Sequence, residues 1–286
     1  MRGFLKDTRS RKDSVNPPMF SLGSQWRFKL DLLKTLVRRD LESKYKGSVL
    51  GNFWPLLNQL AQLLIYTYVF SIILNLKLNL QDLPQTNVGF GLWLFAGLLP
   101  WTTFVTGFMQ STGSVINQPN LVKKVVFPLS ILPIVPIFTT FIESLMGLLV
   151  LLLLIAIATQ QLPHTIWLLP LVAIPHFLFT AGLGYLAAGL TVFLRDIPQT
   201  LNVIVSLWFY LTPIVYPVSL IPERWQELVL LVNPMAAFSQ VYRDLTLVGK
   251  VQHLLPWSVA TAISVVIAYL GFSCYRRLRG AFADVL

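Results

Sequence analysis

The sequence predicts an all-α membrane protein with six transmembrane helices per subunit, and three observations carry that expectation. The chain of 286 residues is 55% hydrophobic and only 12% charged, where a soluble domain has roughly a quarter of its residues charged. Its mean hydropathy is +0.67. Several apolar runs reach the ~20 residues that cross the hydrocarbon layer. The expected spans are 48–74, 90–114, 129–158, 167–194, 199–216 and 257–275. The transmembrane domain is thus 48–286, preceded by a flexible tail, 1–24, and an amphipathic interface helix, 25–47.

Charge sets the expected orientation. A net charge of +10 raises the question of nucleic acid, but the distribution of the basic residues excludes it. Twelve of the 22 Lys and Arg residues precede Gly47, and Arg276, Arg277 and Arg279 follow the last apolar run. With both termini cytoplasmic, Lys123, Lys124 and Arg195 join them, and only Lys77, Arg224, Arg243 and Lys250 fall outside. That asymmetry satisfies the positive-inside rule. No apolar h-region precedes a cleavage site near the start, so no signal peptide is expected. The single cysteine, Cys274, forms no disulfide within the chain and reads as a small buried hydrophobe.

In segment 25–47, Trp26, Leu30, Leu33, Leu36, Val37 and Leu41 share one helical face, with Arg27, Lys34 and Arg38 on its flank. Basic amphipathic helices beside a span lie in the membrane interface. This one is expected to anchor there, to grip a cytoplasmic partner, or both. In the first span Asn52, Pro55, Asn58, Gln59, Gln62 and Tyr66 fall within about 120° of one another at 100° per residue, and Phe70 continues the face. Polar groups in hydrocarbon require partners or water, so this stripe faces a bundle, a second subunit or an aqueous path.

The second span places Thr103, Thr106, Gln110 and Ser114 on one side, with Trp101 as a weaker candidate. Asn117, Gln118, Pro119 and Asn120 then lead into a short helical loop with Lys123 and Lys124, stopped by Pro128. It is either a connector or a docking knob. Glu143, an acid inside the third span, calls for a hydrogen bond or an interhelical pair. Its alternatives are proton coupling or a neutral carboxyl. Gly182, Gly184, Ala188 and Gly189 in the fourth span allow close helix approach. The fifth span repeats the first pattern, with Gln199, Asn202, Ser206, Phe209, Tyr210, Pro213 and Tyr216 within about 120°. Two such stripes, rich in amides, hydroxyls and aromatic faces, suit a passage for a hydroxyl-rich substrate. Segment 217–256, with Trp225 and a break at Asn233–Pro234, is too long for a simple loop. Two short re-entrant or interfacial helices are expected there.

Catalytic signatures are missing from the sequence. No Gly-x-x-x-x-Gly-Lys-Ser/Thr loop occurs, so ATP phosphates are not cradled by this chain. His164, His176 and His253 are far apart and no metal-ligand spacing occurs. The expectation is no catalytic residue, no metal and no cofactor in this chain.

Several motifs then resemble a known family. Arg39-Asp40-Leu41, the run from Lys44 to Gly51, and Trp54-x-x-Leu57-Asn58 resemble the amino-terminal signature of type-2 ABC exporter permeases. The Trp101 region, 117–128, Asn233-Pro234-Met235 and the ending Phe282-Ala283-Asp284-Val285-Leu286 are also similar. The nearest branch exports lipid-linked O-antigen, capsular polysaccharide or teichoic acid. Gln59 departs from it, since relatives often carry proline there. The resemblance implies a homodimer in the plasma membrane, paired with two copies of a separate ATP-binding cassette subunit that holds ATP and Mg. It implies an ATPase-docking surface of Arg38, Arg39, Asn117, Asn120, Lys123 and Lys124. It also implies a channel formed by the first, second and fifth spans, and a gate containing Trp225, Asn233 and Pro234.

Overall fold

The computed structural model describes residues 22–73, 87–123 and 127–286, and the regular structure among them is all helical, with no strand. Most of the tail 1–24, the end of the first expected span and Lys124 lie outside them. The helices are α1 (Leu22–Tyr45), α2 (Trp54–Tyr66), α3 (Asn87–Gly113), α4 (Pro119–Val122), α5 (Ile134–Thr159) and α6 (Leu169–Thr191). They continue with α7 (Ile197–Leu211), α8 (Glu223–Val232), α9 (Pro234–Arg243), α10 (Leu254–Leu278) and α11 (Phe282–Val285).

Among the described residues, four stretches are long and apolar enough to cross a membrane: Gly89–Gly113, Leu129–Thr159, His164–Thr191 and Leu254–Val285. They contain α3, α5, α6 and α10. The first and fifth expected spans are shorter as helices. Helix α2 opens with Pro55 in its first turn, where a missing N–H costs nothing, and it loosens into a π-helical stretch over Thr67–Ile73. Helix α7 stops at Leu211, and Thr212 is already extended at φ −101° and ψ 130°. Pro213 has no N–H to continue the ladder, and its ring forces the preceding residue out of the helical region. The fifth span therefore ends about a turn earlier than the sequence pattern implied, and Pro213 and Tyr216 leave the helical face that they were expected to continue.

Helix α3 is the hub. Its apolar window is 78% buried, against 17% for the windows of α5 and α10. Phe90, Trp93, Leu94, Phe95, Leu98, Trp101 and Phe104 pack on nearly every side of it, as expected of a helix that is hydrophobic all round. Helix α5 instead turns Leu145, Leu149, Leu153 and Ile157 outward, one residue per turn, at 55–70% exposure. Its Thr139, Thr140, Gly147, Leu151 and Ile155 face inward.

The closest helix crossing pairs α6 with α10. A Cβ added at Gly182 would stand 2.6 Å from the Ile267 carbonyl and the Ala268 nitrogen, and one at Gly271 would collide with the Gly182 carbonyl. These glycines let two backbones touch, the packing expected of the small residues in this span. Nearby, the Tyr185 hydroxyl donates to the Ser130 carbonyl at 2.7 Å and Tyr275 to Leu129 at 2.8 Å. Two phenols thereby fix the entry turn of α5. Phe282 of the carboxyl-terminal motif is fully buried against Tyr275.

Helix α1 lies against the start of α5, burying Leu36 and Val37 on Ile131 and Val135, with Leu33 and Leu41 alongside. Part of its predicted apolar face is therefore covered by the chain itself, while Leu30 stays 57% exposed. At the opposite end of the bundle, every residue of α9 is buried. The segment 217–256 does contain two short helices, and the second is core.

Candidate functional site

Helices α2, α3, α5 and α7, with the end of α1, surround a groove of about 850 Å³. Each helix contributes residues one turn apart, so helical periodicity delivers their side chains to one place. Asn58, Gln59 and Gln62 come from α2, and Trp101, Thr102, Thr103, Thr106 and Gln110 from α3. Helix α5 supplies Thr140, Glu143 and Ser144, and α7 supplies Val205, Ser206, Phe209 and Tyr210. Eight of the thirteen channel candidates therefore meet in one groove: Asn58, Gln59, Gln62, Thr106, Gln110, Ser206, Phe209 and Tyr210.

The other five are placed differently. Asn202 is exposed on α7, one turn before Ser206, outside the groove lining. Tyr216 packs on the core and donates its hydroxyl to the Tyr210 carbonyl at 3.0 Å. Asn52 lies in the turn Gly51–Phe53, Tyr66 ends α2, and Phe70 lies in the π-helical stretch. The side chains of these last three fall outside the described residues.

The wall combines three chemistries. Hydroxyls bond their own helices: Thr103 donates to Leu99 O at 2.7 Å, Thr140 to Pro136 O at 2.9 Å and Ser206 to Asn202 O at 2.8 Å. Their oxygen lone pairs remain available. The exposed amides of Asn58, Gln62 and Gln110 bond no other described residue, leaving donors and acceptors free. Gln59 differs, because its side chain presses on Gly147 of α5, where a Cβ would overlap its Oε1. Aromatic faces complete the lining. The Trp101 ring lies 5.6 Å from Phe209 and 6.0 Å edge-on from Trp208, and Phe209 lies 5.4 Å from Tyr210. Trp101 is only 5% exposed, so it anchors this cluster instead of marking a membrane surface.

Glu143 is held as an interhelical pair. Lys44 Nζ lies 3.3 Å from both carboxylate oxygens, and the Tyr45 hydroxyl donates to Oε1 at 2.9 Å. Burial, and then the adjacent carboxylate, push the Tyr45 phenol well above its ordinary range, so it stays a donor. Of the alternatives for Glu143, the interhelical pair is the one formed, and its cation comes from the end of α1, 99 residues earlier in the chain.

A second groove, about 380 Å³, lies between α1 and the α3–α4 turn. Arg39, Asp40, Asn117 and Gln118 line it. Arg38 pairs with Glu42 at 2.7 Å on the exposed side of α1. Asn120 and Lys123 are exposed on α4 and just beyond it.

At the opposite end, Asn233 joins three elements. Its Oδ1 accepts from Met235 N at 3.2 Å and Ala236 N at 3.3 Å, capping α9 ahead of Pro234. The same oxygen accepts from Trp208 Nε1 at 3.1 Å, and Nδ2 donates to Thr212 at 2.9 Å. Asn233 thus connects the α8–α9 hairpin to the Trp208 ring behind Trp101. Trp225 is 46% exposed on α8, with the Arg224 guanidinium 5.5 Å from its ring centroid.

Sequence reasoning placed Arg243 among the outside charges, yet it is 2% exposed. Its guanidinium stands 3.5 Å from the Trp93 ring centroid and donates to the carbonyls of Trp93, Pro213 and Ile214. A Cβ at Gly97 would overlap it. The neighbouring Asp244 accepts from the Gln252 and His253 amides at 2.8 and 2.9 Å. The stop after α7 is what makes Arg243 necessary, because it leaves the Pro213 and Ile214 carbonyls without a helical partner. No periodic pattern signals that.

Residues 31–247 match the ABC-2 type transporter family. The chain belongs to this family. It is a multi-pass membrane permease, the non-catalytic transmembrane subunit of an ABC transporter, and a permease of this kind works with an ATP-binding cassette partner. Among curated relatives, the O-antigen export system permease protein RfbA of Myxococcus xanthus is 31% identical over 256 residues, covering 88% of this chain and 94% of that protein. Two Klebsiella pneumoniae proteins of the same name are 28% and 27% identical over 258 residues, each alignment covering 90% of this chain and 95% of theirs. For an ABC-2 permease, the groove between α2, α3 and α7 becomes the leading candidate for a substrate path, and the α1–α4 groove for contact with the ATPase.

Proposed function

We propose that this chain is the membrane subunit of an ATP-driven exporter that moves an undecaprenyl-linked polysaccharide, of O-antigen or capsular type, outward across the plasma membrane. The observation that carries this reading is the meeting of amides, hydroxyls and aromatic faces from α2, α3 and α7 in one groove. Sugars present hydroxyls around their rims and apolar C–H patches on their faces, and this wall answers both. A path for drugs or small lipids would be lined by apolar groups. The relatives named for O-antigen export point the same way.

In this reading two copies of the chain face each other across their grooves, and both termini are cytoplasmic. Six crossings include the shorter α2 and α7. Two ATP-binding subunits, carrying ATP and Mg, dock on α1 and α4 through Arg38, Arg39, Asn117, Asn120, Lys123 and Lys124. The α8–α9 hairpin, through Trp225, Asn233 and Pro234, gates the far end.

Export is tested by replacing Phe209 and Tyr210 with alanine in a complementation strain. Each lost aromatic contact removes ~1 kcal/mol, so surface polysaccharide should fall about tenfold or more at unchanged protein level. Normal surface polysaccharide at that level contradicts an aromatic glycan path.

A further inference from the structure

The charge content of the groove narrows the substrate class. Among the described residues, Lys44 and Glu143 are the only charged side chains on its wall. They sit 3.3 Å apart, with side chains 19% and 12% exposed, so the wall carries no net charge. Everything else facing the path is amide, hydroxyl, aromatic or aliphatic.

A polymer with a phosphodiester or carboxylate in every repeat would bring one anion after another into this membrane-embedded space. Each needs a cation or ample water to replace its hydration. Lys44 is the one cation among the described wall residues, and Glu143 holds it most closely, at 3.3 Å. Asp40, on the same helix as Lys44, lies farther off at 3.8 Å, and the Tyr45 hydroxyl assists Glu143 at 2.9 Å. Neutral hydroxyls meet no such penalty, because Asn58, Gln62 and Gln110 offer both donors and acceptors.

Resting on the export reading above, we infer that the groove selects a glycan whose repeating chain is uncharged, and that Glu143 sets this selectivity by cancelling Lys44. Teichoic acid and uronate-rich capsules are thereby disfavoured. The claim concerns the repeating chain, not the head group of a lipid carrier, which presents its charge once.

The test compares a neutral gluco-oligosaccharide with the same oligomer oxidised at its primary alcohols to carboxylates. Binding to the full transporter, permease with its ATP-binding partner, is measured by saturation-transfer NMR. Wild type should bind the neutral oligomer about tenfold or more tightly than the carboxylate form, and Glu143→Gln should narrow that gap to roughly threefold or less, by leaving Lys44 with only the more distant and more exposed Asp40 at 3.8 Å. Equal wild-type affinities, or an unchanged gap in Glu143→Gln, overturn the charge selectivity while leaving glycan export intact. Failure of wild type to bind either oligomer overturns both. Should Glu143→Gln not fold, the double variant Lys44→Gln, Glu143→Gln removes both charges together and must keep the wild-type preference; its loss also overturns the inference.

Discussion

Replacing Arg243 with alanine should destabilise the protein by on the order of 3–5 kcal/mol, since each buried carbonyl left without a donor costs ~1–3 kcal/mol and a desolvated cation–π contact is lost as well. The guanidinium serves three backbone carbonyls at once, those of Trp93, Pro213 and Ile214. Without it the Pro213 and Ile214 carbonyls lose their donor, and the face of Trp93 loses its cation. Lysine should not rescue the loss, since one ammonium cannot reproduce a planar fork directed at separate acceptors. Since proteins are marginal by 5–15 kcal/mol in total, Arg243→Ala should fail to accumulate or should unfold well below wild type. Thermal unfolding in detergent or nanodiscs measures this. A variant within about 0.5 kcal/mol of wild type, the usual scale of surface substitutions, would show that the clamp contributes nothing.

The second large effect belongs to the α6–α10 crossing. Leucine at Gly182 puts its Cβ 2.6 Å from backbone atoms of Ile267 and Ala268, and leucine at Gly271 drives into the Gly182 carbonyl. Backbone cannot rotate away as a side chain does, so either substitution forces the two helices apart. The cost should meet or exceed the ~1–3 kcal/mol typical of overpacked cores. Leucine at Gly280, where nothing lies within 4 Å of an added Cβ, controls for the substitution itself. Equal melting temperatures for Gly182→Leu, Gly271→Leu and Gly280→Leu would contradict this close approach.

Much of this architecture was legible because lipid imposes simple rules. Hydrophobic length located α3, α5, α6 and α10 to within a turn or so at their starts. Period-3.6 spacing of Asn58, Gln62, Ser206 and Tyr210 identified the residues that line the groove. Interactions between distant segments were not legible. Nothing local ties Lys44 to Glu143, 99 residues away, or Arg243 to Trp93, 150 residues away. Both cations look like surface charges when counted by segment. Pro213 was visible, but helical arithmetic carried the α7 stripe through it to Tyr216. A proline at that position ends the helix and leaves the Pro213 and Ile214 carbonyls that Arg243 binds. Trp101 shows the opposite ambiguity: a tryptophan in a span suits an interface anchor at its end or a core within it, and only the contacts with Trp208 and Phe209 decide.

The central claim is that the polar groove between α2, α3 and α7 is an aqueous substrate path. Single cysteines at Gln62 and Ser206, in a Cys274→Ser background, test it most directly with a membrane-impermeant thiol reagent on the assembled transporter. Both positions should label, with rates that change when ATP is supplied, while cysteines at Leu149 and Ile157 on the outward face of α5 stay unlabelled. Complete protection of Gln62 and Ser206 positions, at rest and during ATP turnover alike, would contradict it.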